Sequence, residues 1–284
     1  MDIDPPAPTG VNKARKVALI AELQARNRLS HSPVCGAAPI ALSLTSYGAR
    51  LAIVAYAIES IARGTVRPRR MILWVSDADF HSADYPMLAR LERRGLEILR
   101  CSDLGPHKKS HPYVTRFADD PLVLVTADDD IMYPRTWMAG LLAGYRRFPA
   151  DFVGYRAKEV VVTSSGELAA YPSWPSAAVG VSGPRVFLTG GAGVVFPHPL
   201  MRAMRSAGDS FIDTCPRADD IWINVQAMRA GLRARRLGCD GFALGFPRSQ
   251  GEVALHTDNV GRGGNDRQLA ATLTEADLAV LRAG

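Results

Sequence analysis

Features of secreted, membrane-spanning and zinc-binding proteins are scarce in this sequence. Its 284 residues contain only four cysteines, which are widely scattered and form no CxxC pair: Cys35, Cys101, Cys215 and Cys239. This spacing favours reduced thiols over disulfides or zinc ligands. No apolar run approaches the roughly 18 residues of a membrane-spanning helix, and the opening MDIDPPAPTG lacks the basic-then-apolar order of a signal peptide. We therefore expect a cytoplasmic protein with a disordered leader.

The common nucleotide-binding loops are also absent. The first predicted strand is not followed by GxGxxG, and GxxxxGK[ST] occurs nowhere in the chain. Dinucleotide-binding and P-loop folds are therefore poor interpretations. A nucleotide would instead have to be held by acidic residues at strand ends together with a metal ion.

Composition is that of an ordinary soluble enzyme, with 47% apolar and 22% charged residues and a net charge of +6. Much of the positive charge falls in residues 11–29, VNKARKVALIAELQARNRL, which predict a basic helix. This helix either packs on the domain with a solvated face or touches an anionic membrane surface, placing the protein at the inner membrane face. No nucleic-acid-binding module accompanies it, so no nucleic-acid partner is expected.

Strands and helices alternate over the first 150 residues, which predicts a parallel α/β sheet. The expected strands are 40–45, 71–75, 96–101 and 122–127, and the expected helices are 51–63, 87–94 and 135–147, the last with Pro134 in its first turn. The second half predicts short mixed strands, a hairpin at 159–166, a helix at 219–230 and a last helix near 274–282. The expected organisation is a leader and basic helix over 1–37 and one domain over 38–284, divided into a nucleotide-binding half (38–150), an acceptor half (151–260) and a C-terminal helix (261–284).

Three consecutive carboxylates, Asp128, Asp129 and Asp130, end the fourth predicted strand. Two carboxylates about 4 Å apart repel by roughly 4 kcal/mol at an effective dielectric of 20, so a buried strand ending this way needs a cation or hydrogen-bond donors. In extended chain Asp128 and Asp130 share one face and Asp129 points away. Hard oxygen ligands suit Mg²⁺ or Mn²⁺. The alternative is a solvated acidic turn.

Other polar residues follow the ends of the neighbouring predicted strands. Asp77, after the second strand, is placed to accept a hydrogen bond from a base or ribose. Lys108 or Lys109, after the third strand, and Arg50, after the first, would suit a diphosphate. Solvated turn residues are the alternative interpretation for each of them.

These motifs together resemble the nucleotide-sugar glycosyltransferases of the GT-A fold, and most closely the bacterial enzymes related to glycosyltransferase family 2. The resemblance covers roughly residues 38–260 and rests on TSYGAR (with Thr45, Tyr47 and Arg50), on Asp77, on the D-x-D group and on the acidic helix start at Asp219. It implies a GT-A sheet, a nucleotide-diphospho-sugar donor bound by these residues, and Mn²⁺ or Mg²⁺ held by Asp128 and Asp130. Asp129 makes the alignment of the triplet ambiguous by one residue.

The resemblance also implies a catalytic base and a third metal ligand. Inverting members carry an acidic pair at a helix start, which places Asp220 as the base, with Asp219 as second choice. An ordinary helix cap would use one of the two carboxylates, and the helix dipole would keep the other ionised. His256, late in the chain, is the expected third metal ligand or a diphosphate contact, with a polar bystander as the alternative.

The acceptor is expected to be a glycan, a glycolipid or a small molecule. Gly191, in the glycine-rich step 190–193, would let the backbone approach a sugar closely, and Tyr171 and Trp174 would stack on an acceptor ring. A plain turn and core aromatics are the respective alternatives. Two other functions stay open: a sugar-phosphate nucleotidyltransferase, and a non-catalytic binding protein on the same fold in which the carboxylates hold a structural cation.

Overall fold

The computed structural model describes residues 10–76, 80, 84–238, 244–245 and 263–284; for 10–12 and 244–245 it describes the backbone alone. The strands are β1 (Ala38–Thr45), β2 (Pro68–Ser76), β3 (Glu97–Cys101), β4 (Val123–Thr126), β5 (Ile131–Met132), β6 (Asp151–Gly154), β7 (Ala157–Glu159), β8 (Ser182–Gly183), β9 (Val186–Leu188), β10 (Val194–Phe196), β11 (Arg233–Arg236) and β12 (Leu244–Gly245). The helices are α1 (Gly10–Leu29), α2 (Val54–Ala62), α3 (Pro86–Arg93), α4 (His111–Arg116), α5 (Trp137–Arg147), α6 (His198–Ala207), α7 (Phe211–Thr214), α8 (Asp219–Arg229), α9 (Gly264–Thr272) and α10 (Glu275–Ala283).

Eight strands form one mixed sheet in the order β3-β2-β1-β4-β10-β6-β11-β8. The first four run parallel, with Leu42 of β1 opposite Met71 of β2 and Val125 of β4. Strand β10 runs antiparallel to both β4 and β6. The ends of β1 and β4 therefore meet the start of β10 at one edge, where open α/β sheets place their sites. Two small antiparallel sheets, β12-β5 and β7-β9, lie beside the main one.

The central strands are buried on both faces, which explains their continuous apolar runs. Ile40, Leu42 and Leu44 of β1 point into one core, which α2, α3 and α5 cover. Ala41, between them, points into the other core, to which α4, α6 and α8 contribute. This alternation follows from the two-residue period of a strand. The predicted mostly parallel α/β fold with helices on both faces and a smaller additional sheet is confirmed.

Several predicted boundaries are wrong in detail. The helix expected from residue 51 begins as a 3₁₀ turn, Gly48–Ala52, before α2 starts at Val54. The helix expected around Pro134 starts only at Trp137. The expected hairpin at 159–166 is present but short and displaced toward its C-terminal side. The backbone N–H of Thr163 donates to the carbonyl of Glu167 at 2.8 Å, and that of Ala169 to the carbonyl of Val161 at 2.9 Å, around the bridge between Val162 and Leu168. The sequence interpretation did not include α6, α9 and β11. The division into residues 1–37 and 38–284 stays a prediction.

Helix α1 forms an outer layer on α2 and α3. The Glu59 side chain, fully buried in α2, accepts hydrogen bonds from Asn27 of α1 at 3.0 Å and from both guanidinium nitrogens of Arg94. Arg26 of α1 adds an ion pair with Glu59 at 3.3 Å. A buried charge is tolerated only when it is paired and hydrogen-bonded, as here. In the part of the chain that the structure describes, no helix has the length and apolar character to cross a membrane.

Candidate active site at the strand ends

The turn after β1 meets the aspartate triplet after β4. Ser46 donates a hydrogen bond of 2.7 Å to Oδ2 of Asp129. One guanidinium nitrogen of Arg50 lies 2.5 Å from Oδ1 of Asp129 and 2.9 Å from Oδ2 of Asp130. The TSYGAR segment therefore supplies the donors that these strand-end carboxylates require.

The triplet is not extended, contrary to the expected pairing of Asp128 with Asp130. The strand ends at Thr126, and the following residues form a turn that brings Asp129 and Asp130 onto the same arginine. Asp128 instead faces Lys109. Asp129 is buried, and burial raises its pKa to about 6 although the charge of Arg50 and the hydrogen bond from Ser46 act in the opposite direction. Asp129 is thus the anchored member of the triplet, whereas the side chains of Asp128 and Asp130 are 26% and 18% exposed.

Lys109 connects this triplet to the acidic pair of α8. Its ammonium nitrogen lies 2.8 Å from Oδ1 of Asp128 and 3.4 Å from Oδ2 of Asp219. Burial alone would lower the pKa of Lys109, but the charges of Asp128, Asp219 and Asp220 hold it well above its ordinary value. Burial would likewise raise the pKa of Asp128, yet the Lys109 charge outweighs it and the pKa lies below the usual range. Lys109 is therefore a permanent cation among three carboxylates.

The acidic pair does not cap α8. The residue at the cap position is Ala218, and no side chain caps this helix start. Oδ1 of Asp220 accepts a hydrogen bond of 2.9 Å from the backbone N–H of Gly190, in the neighbouring loop. The alternative that capping explains one of the two aspartates is therefore wrong, and both carboxylates lie in the site.

Asp220 has the pKa that proton transfer near neutrality requires. Burial, and next the charge of Asp219, raises the pKa of Asp220 to about 7 although Lys109 and the Gly190 hydrogen bond act to lower it. Burial has the largest effect on this carboxylate, and a pKa of about 7 means that ionised and protonated forms are both populated near neutral pH. A base whose pKa lies close to the working pH is the most efficient one.

Two glycines pass between the carboxylates. A Cβ atom on Gly190 would lie 3.1 Å from Oδ1 of Asp220, and one on Gly191 would lie 3.1 Å from Oδ2 of Asp128. Such distances are tighter than ordinary van der Waals contact. Glycine at these positions lets the loop before β10 approach both acidic groups, and Gly191 lies beside Asp128, at the site where it was expected.

Three further residues support the site and were missed from sequence. Tyr133 accepts a hydrogen bond of 2.8 Å from the backbone N–H of Asp128 and lies 3.4 Å from the carbonyl of Gly191. Ser43 donates to the carbonyl of Lys109 at 2.5 Å and accepts from the indole N–H of Trp74 at 2.8 Å. The only sequence signal for them was polar or aromatic character within or beside the predicted strands.

Three other predicted site residues contact groups other than the five clustered aspartates. Lys108 is almost fully buried and pairs at 2.8 Å with Asp103 instead of with the carboxylates around Lys109. The Thr45 hydroxyl donates to the Trp74 carbonyl at 3.0 Å, which makes it part of the sheet edge. Tyr47 is exposed, and its ring centre lies 5.6 Å from the Arg50 guanidinium.

The expected aromatic stacking surface is not observed. Tyr171 and Trp174 are 6% and 3% exposed and pack on Phe187 in the core, which is the alternative that the sequence left open. Burial, and then the charge of Asp220, raises the pKa of Tyr171, so this residue lies near the acidic pair even though its ring is covered. Asp77 and His256 lie outside the described residues.

The acidic residues supply the oxygen ligands that Mn²⁺ and Mg²⁺ prefer, but no closed metal site is formed. Within the described ranges, no group of three or more His, Cys, Asp or Glu side chains is arranged to hold a metal ion. Asp128 and Asp130 each lie against a different cation, Lys109 and Arg50. Magnesium is commonly held by one or two carboxylates together with substrate phosphates. The donor set therefore fits a metal that is completed by a bound phosphate ligand.

No protein-family model matches the chain, and no curated protein matches it. Among solved structures, S. aureus TarS (residues 1–349) is similar with a TM-score of 0.50 and 12% identity, over 86% of this chain and 69% of that one. Mannosyltransferase PcManGT from Pyrobaculum calidifontis, in complex with GDP-Man and Mn²⁺, has a TM-score of 0.48 and 15% identity, over 95% of this chain and 85% of that one. CMP:2-keto-3-deoxy-manno-octonic acid synthetase, complexed with CTP, has a TM-score of 0.46 and 11% identity, over 75% of this chain and 96% of that one. The structures that match include GT-A glycosyltransferases and nucleotidyltransferases, and the likeness is one of fold.

Proposed function

We propose that this chain is a metal-dependent glycosyltransferase that moves a sugar from a nucleotide-diphospho-sugar to an acceptor hydroxyl with inversion at the anomeric carbon. The observation that carries the proposal is the position of Lys109 between Asp128 and the acidic pair. A cation suited to a leaving diphosphate lies there beside Asp220, a carboxylate whose pKa of about 7 suits a base.

The charge balance of the site favours a metal ion as cofactor. Five aspartates (Asp128, Asp129, Asp130, Asp219 and Asp220) lie around two cations, Lys109 and Arg50, and the charge of a third, Arg156, also acts on Asp128. A diphosphate would add about two negative charges to a region that already has an excess of carboxylates. Like charges about 4 Å apart repel by roughly 4 kcal/mol at an effective dielectric of 20. Asp128 and Asp130, the more exposed members of the triplet, would hold Mn²⁺ or Mg²⁺. When bound, the ion would neutralise charge on the donor diphosphate.

Binding of the donor would use the residues at the ends of β1, β3 and β4. Arg50 is fixed by Asp129 and Asp130 and lies beside the exposed ring of Tyr47, which would pack on a nucleobase or ribose. Lys109 would face the diphosphate, and Gly191 would let the backbone approach the sugar closely beside Asp128. From sequence, the proposed donor-binding residues also include Thr45, Asp77 and Asp129. His256 is the proposed third metal ligand. Lys108 is dropped from the donor-binding residues because its ammonium group pairs with Asp103.

The reaction follows from the position of Asp220. Its carboxylate would take the proton of the acceptor hydroxyl while that oxygen forms a bond to the anomeric carbon. The bond from this carbon to the diphosphate breaks on the opposite face, and the electron pair leaves with the diphosphate beside Lys109. The hydrogen bond from Gly190 holds Asp220 in one orientation throughout. Glycans, glycolipids and small molecules all present such hydroxyls, and the chain is expected to meet them in the cytoplasm.

The test begins with thermal unfolding against UDP, GDP, CDP and dTDP, each with and without Mn²⁺. A nucleotide at about 100 times its dissociation constant adds roughly 2.7 kcal/mol of stability, which raises the melting temperature by several degrees for a chain of this size. A shift with one diphosphate that requires the metal is expected. The absence of any shift would overturn the proposal.

The second step separates the transferase from its two rivals. The matching sugar nucleotide should be hydrolysed slowly without acceptor, and Asp220→Asn should lower turnover by about 100-fold or more while the nucleotide-induced melting shift is kept. Release of pyrophosphate from a nucleoside triphosphate and a sugar 1-phosphate would identify a nucleotidyltransferase. Nucleotide binding with no turnover, unchanged in Asp220→Asn, would identify a binding protein.

A further inference from the structure

Helix α1 is attached to the domain by one side of its C-terminal half. Leu23 is fully buried, Gln24 donates to the Tyr56 hydroxyl at 2.6 Å, and Asn27 donates to Glu59 at 3.0 Å. These positions recur at the three- and four-residue spacing of one helix face. From Lys13 to Ala18 the side chains are exposed except at Lys16, so the domain covers this half of the helix less than the C-terminal half.

The outward side of α1 is apolar. Six exposed small or aliphatic residues recur along it: Ala14, Val17, Ala18, Ala21, Ala25 and Leu29. Leu29 and Val17, at 75% and 68%, are the most exposed large hydrophobic residues in the part of the chain that the structure describes. A surface helix normally turns its apolar stripe toward the core and its polar stripe toward water. Here an apolar stripe also faces outward.

Basic residues border this outward stripe. Lys13, Arg15 and Arg28 are exposed beside it. The single acidic residue of the helix, Glu22, pairs with Arg63 at 2.8 Å, and the first turn carries no acidic residue. The exposed surface is therefore apolar along its middle and positive along its borders, and the positive charge is not balanced within the helix.

We propose that this outward face of α1 binds an anionic lipid bilayer surface. Helices that lie in the membrane interface place small and aliphatic residues at the acyl boundary and Lys or Arg beside the lipid phosphates. The charge of the face decides between this partner and a second copy of the chain. Pairing two such helices would bring like charges together, which is unfavourable, whereas an anionic bilayer complements them. The inference does not depend on the proposed function.

The experiment is sedimentation of the full chain with phosphatidylcholine vesicles, with and without phosphatidylglycerol. Binding is expected only to the vesicles that contain phosphatidylglycerol, and it should weaken as salt is raised. Equal binding to both vesicle types, or no binding to either, would overturn the proposal.

Two sets of variants locate the surface. Replacing Lys13, Arg15 and Arg28 together by Gln should lower the affinity for anionic vesicles by about 100-fold. The matched control replaces Arg146, Arg202 and Arg205 by Gln. These arginines are exposed on other parts of the surface, and the control removes the same number of positive charges. An equal loss of vesicle affinity in the control would contradict a role for α1. Val17→Ser with Leu29→Ser should also lower affinity without changing the helix content measured by circular dichroism.

The oligomeric state distinguishes lipid binding from pairing of α1 with a second copy of the chain. Sedimentation velocity without lipid should give a monomer for the wild-type chain and for the Val17→Ser, Leu29→Ser variant. A dimer that dissociates in this variant would assign the face to a second copy of the chain and overturn the lipid proposal.

Discussion

The ammonium nitrogen of Lys109 lies 2.8 Å from Oδ1 of Asp128, and this ion pair joins the aspartate triplet after β4 to the acidic pair at the start of α8. Each partner stabilises the charged form of the other, as the direction of their pKa shifts shows. Removing Lys109 would take the nearest cation from Asp128, whereas removing Asp128 would still leave Lys109 paired with Asp219 at 3.4 Å.

Lys109→Met should therefore destabilise the fold by about 3 kcal/mol, because three carboxylates lose their shared cation. Urea unfolding at neutral pH measures the change. Lys108→Met is the matched control, since it removes the neighbouring ammonium group and leaves only Asp103, whose side chain is 70% exposed. Lys108→Met should lower the free energy of unfolding by less than about 1 kcal/mol. Equal losses in both variants would contradict the central place of Lys109.

Stability should depend on pH through Asp220. The pKa of this carboxyl is about 7 in the folded chain and about 3.9 in an unfolded one. The folded state therefore binds an extra proton between these values, and the stability that this proton adds is complete below about pH 4 and is lost as pH rises through 7.

Asp220→Asn mimics the protonated carboxyl at every pH. It should match the wild-type free energy of unfolding near pH 4 and exceed it by a few kcal/mol at pH 8, at about 1.4 kcal/mol per unit of pKa difference. Asp213→Asn, in an exposed position, should show no such trend. A constant difference between Asp220→Asn and wild type across pH would contradict the raised pKa.

Gly191→Ala tests the close approach of the glycine loop to Asp128. The new Cβ would lie 3.1 Å from Oδ2 of Asp128, so that carboxylate has to shift. We expect a roughly tenfold weaker Mn²⁺-dependent nucleotide response in the melting assay, by analogy with displaced supporting groups around metal ligands. Gly183→Ala has open space around its Cβ and should leave the response unchanged. A normal response in Gly191→Ala would remove this position from the site.

Asp130→Ala tests the metal assignment separately from folding. Arg50 keeps Asp129 as a partner in this variant, so unfolding free energy should change little. The Mn²⁺ concentration that gives half-maximal nucleotide stabilisation should rise by at least about tenfold, because one of two carboxylate ligands is lost. Asp213→Ala serves as the control. A variant that uses Mn²⁺ as the wild type does would disprove the assignment.

Glu59→Gln tests the buried cluster on which α1 packs. The change leaves the guanidinium of Arg94, whose side chain is 6% exposed, without its counter-charge, at a cost of about 3–5 kcal/mol. Glu22→Gln breaks only the more exposed pair with Arg63 and should cost under about 1 kcal/mol. Urea unfolding compares the two variants. Similar values would show that the buried cluster around Glu59 adds no more stability than the exposed pair.

Periodicity and strand-end chemistry were sufficient to predict the sheet and the outline of the site. The buried run before Asp128 and the acidic start of α8 are local signals, and the structure brings them together at the ends of β1 and β4. Local signals did not distinguish Lys108 from Lys109. The two are adjacent in a 3₁₀ turn, Gly105–Lys109, whose direction is set by contacts with residues far along the chain.

Tertiary contacts also explain the other misses. The turn at Asp129 and Asp130 forms because Arg50, 79 residues before Asp129, binds both of them. Trp174 was expected at a sugar-binding surface because aromatic rings serve both there and in cores, and only the position of Phe187 decides between the two. Tyr133 supports Asp128 through a backbone hydrogen bond that no side-chain pattern indicates.

The segments that meet at Asp128 and Asp220 are widely separated in sequence. Ser46 and Asp129 are 83 residues apart, and Asp220 lies in a helix that the chain reaches only after the loop bearing Gly190. Closing such long loops has a high entropic cost and is slow, so contacts of this kind form late in folding. During synthesis the carboxylates after β4 would be complete well before α8 exists. A fragment ending before α8 would lack Asp219 and Asp220. Under the proposed function, turnover rather than nucleotide binding would therefore report that α8 is in place.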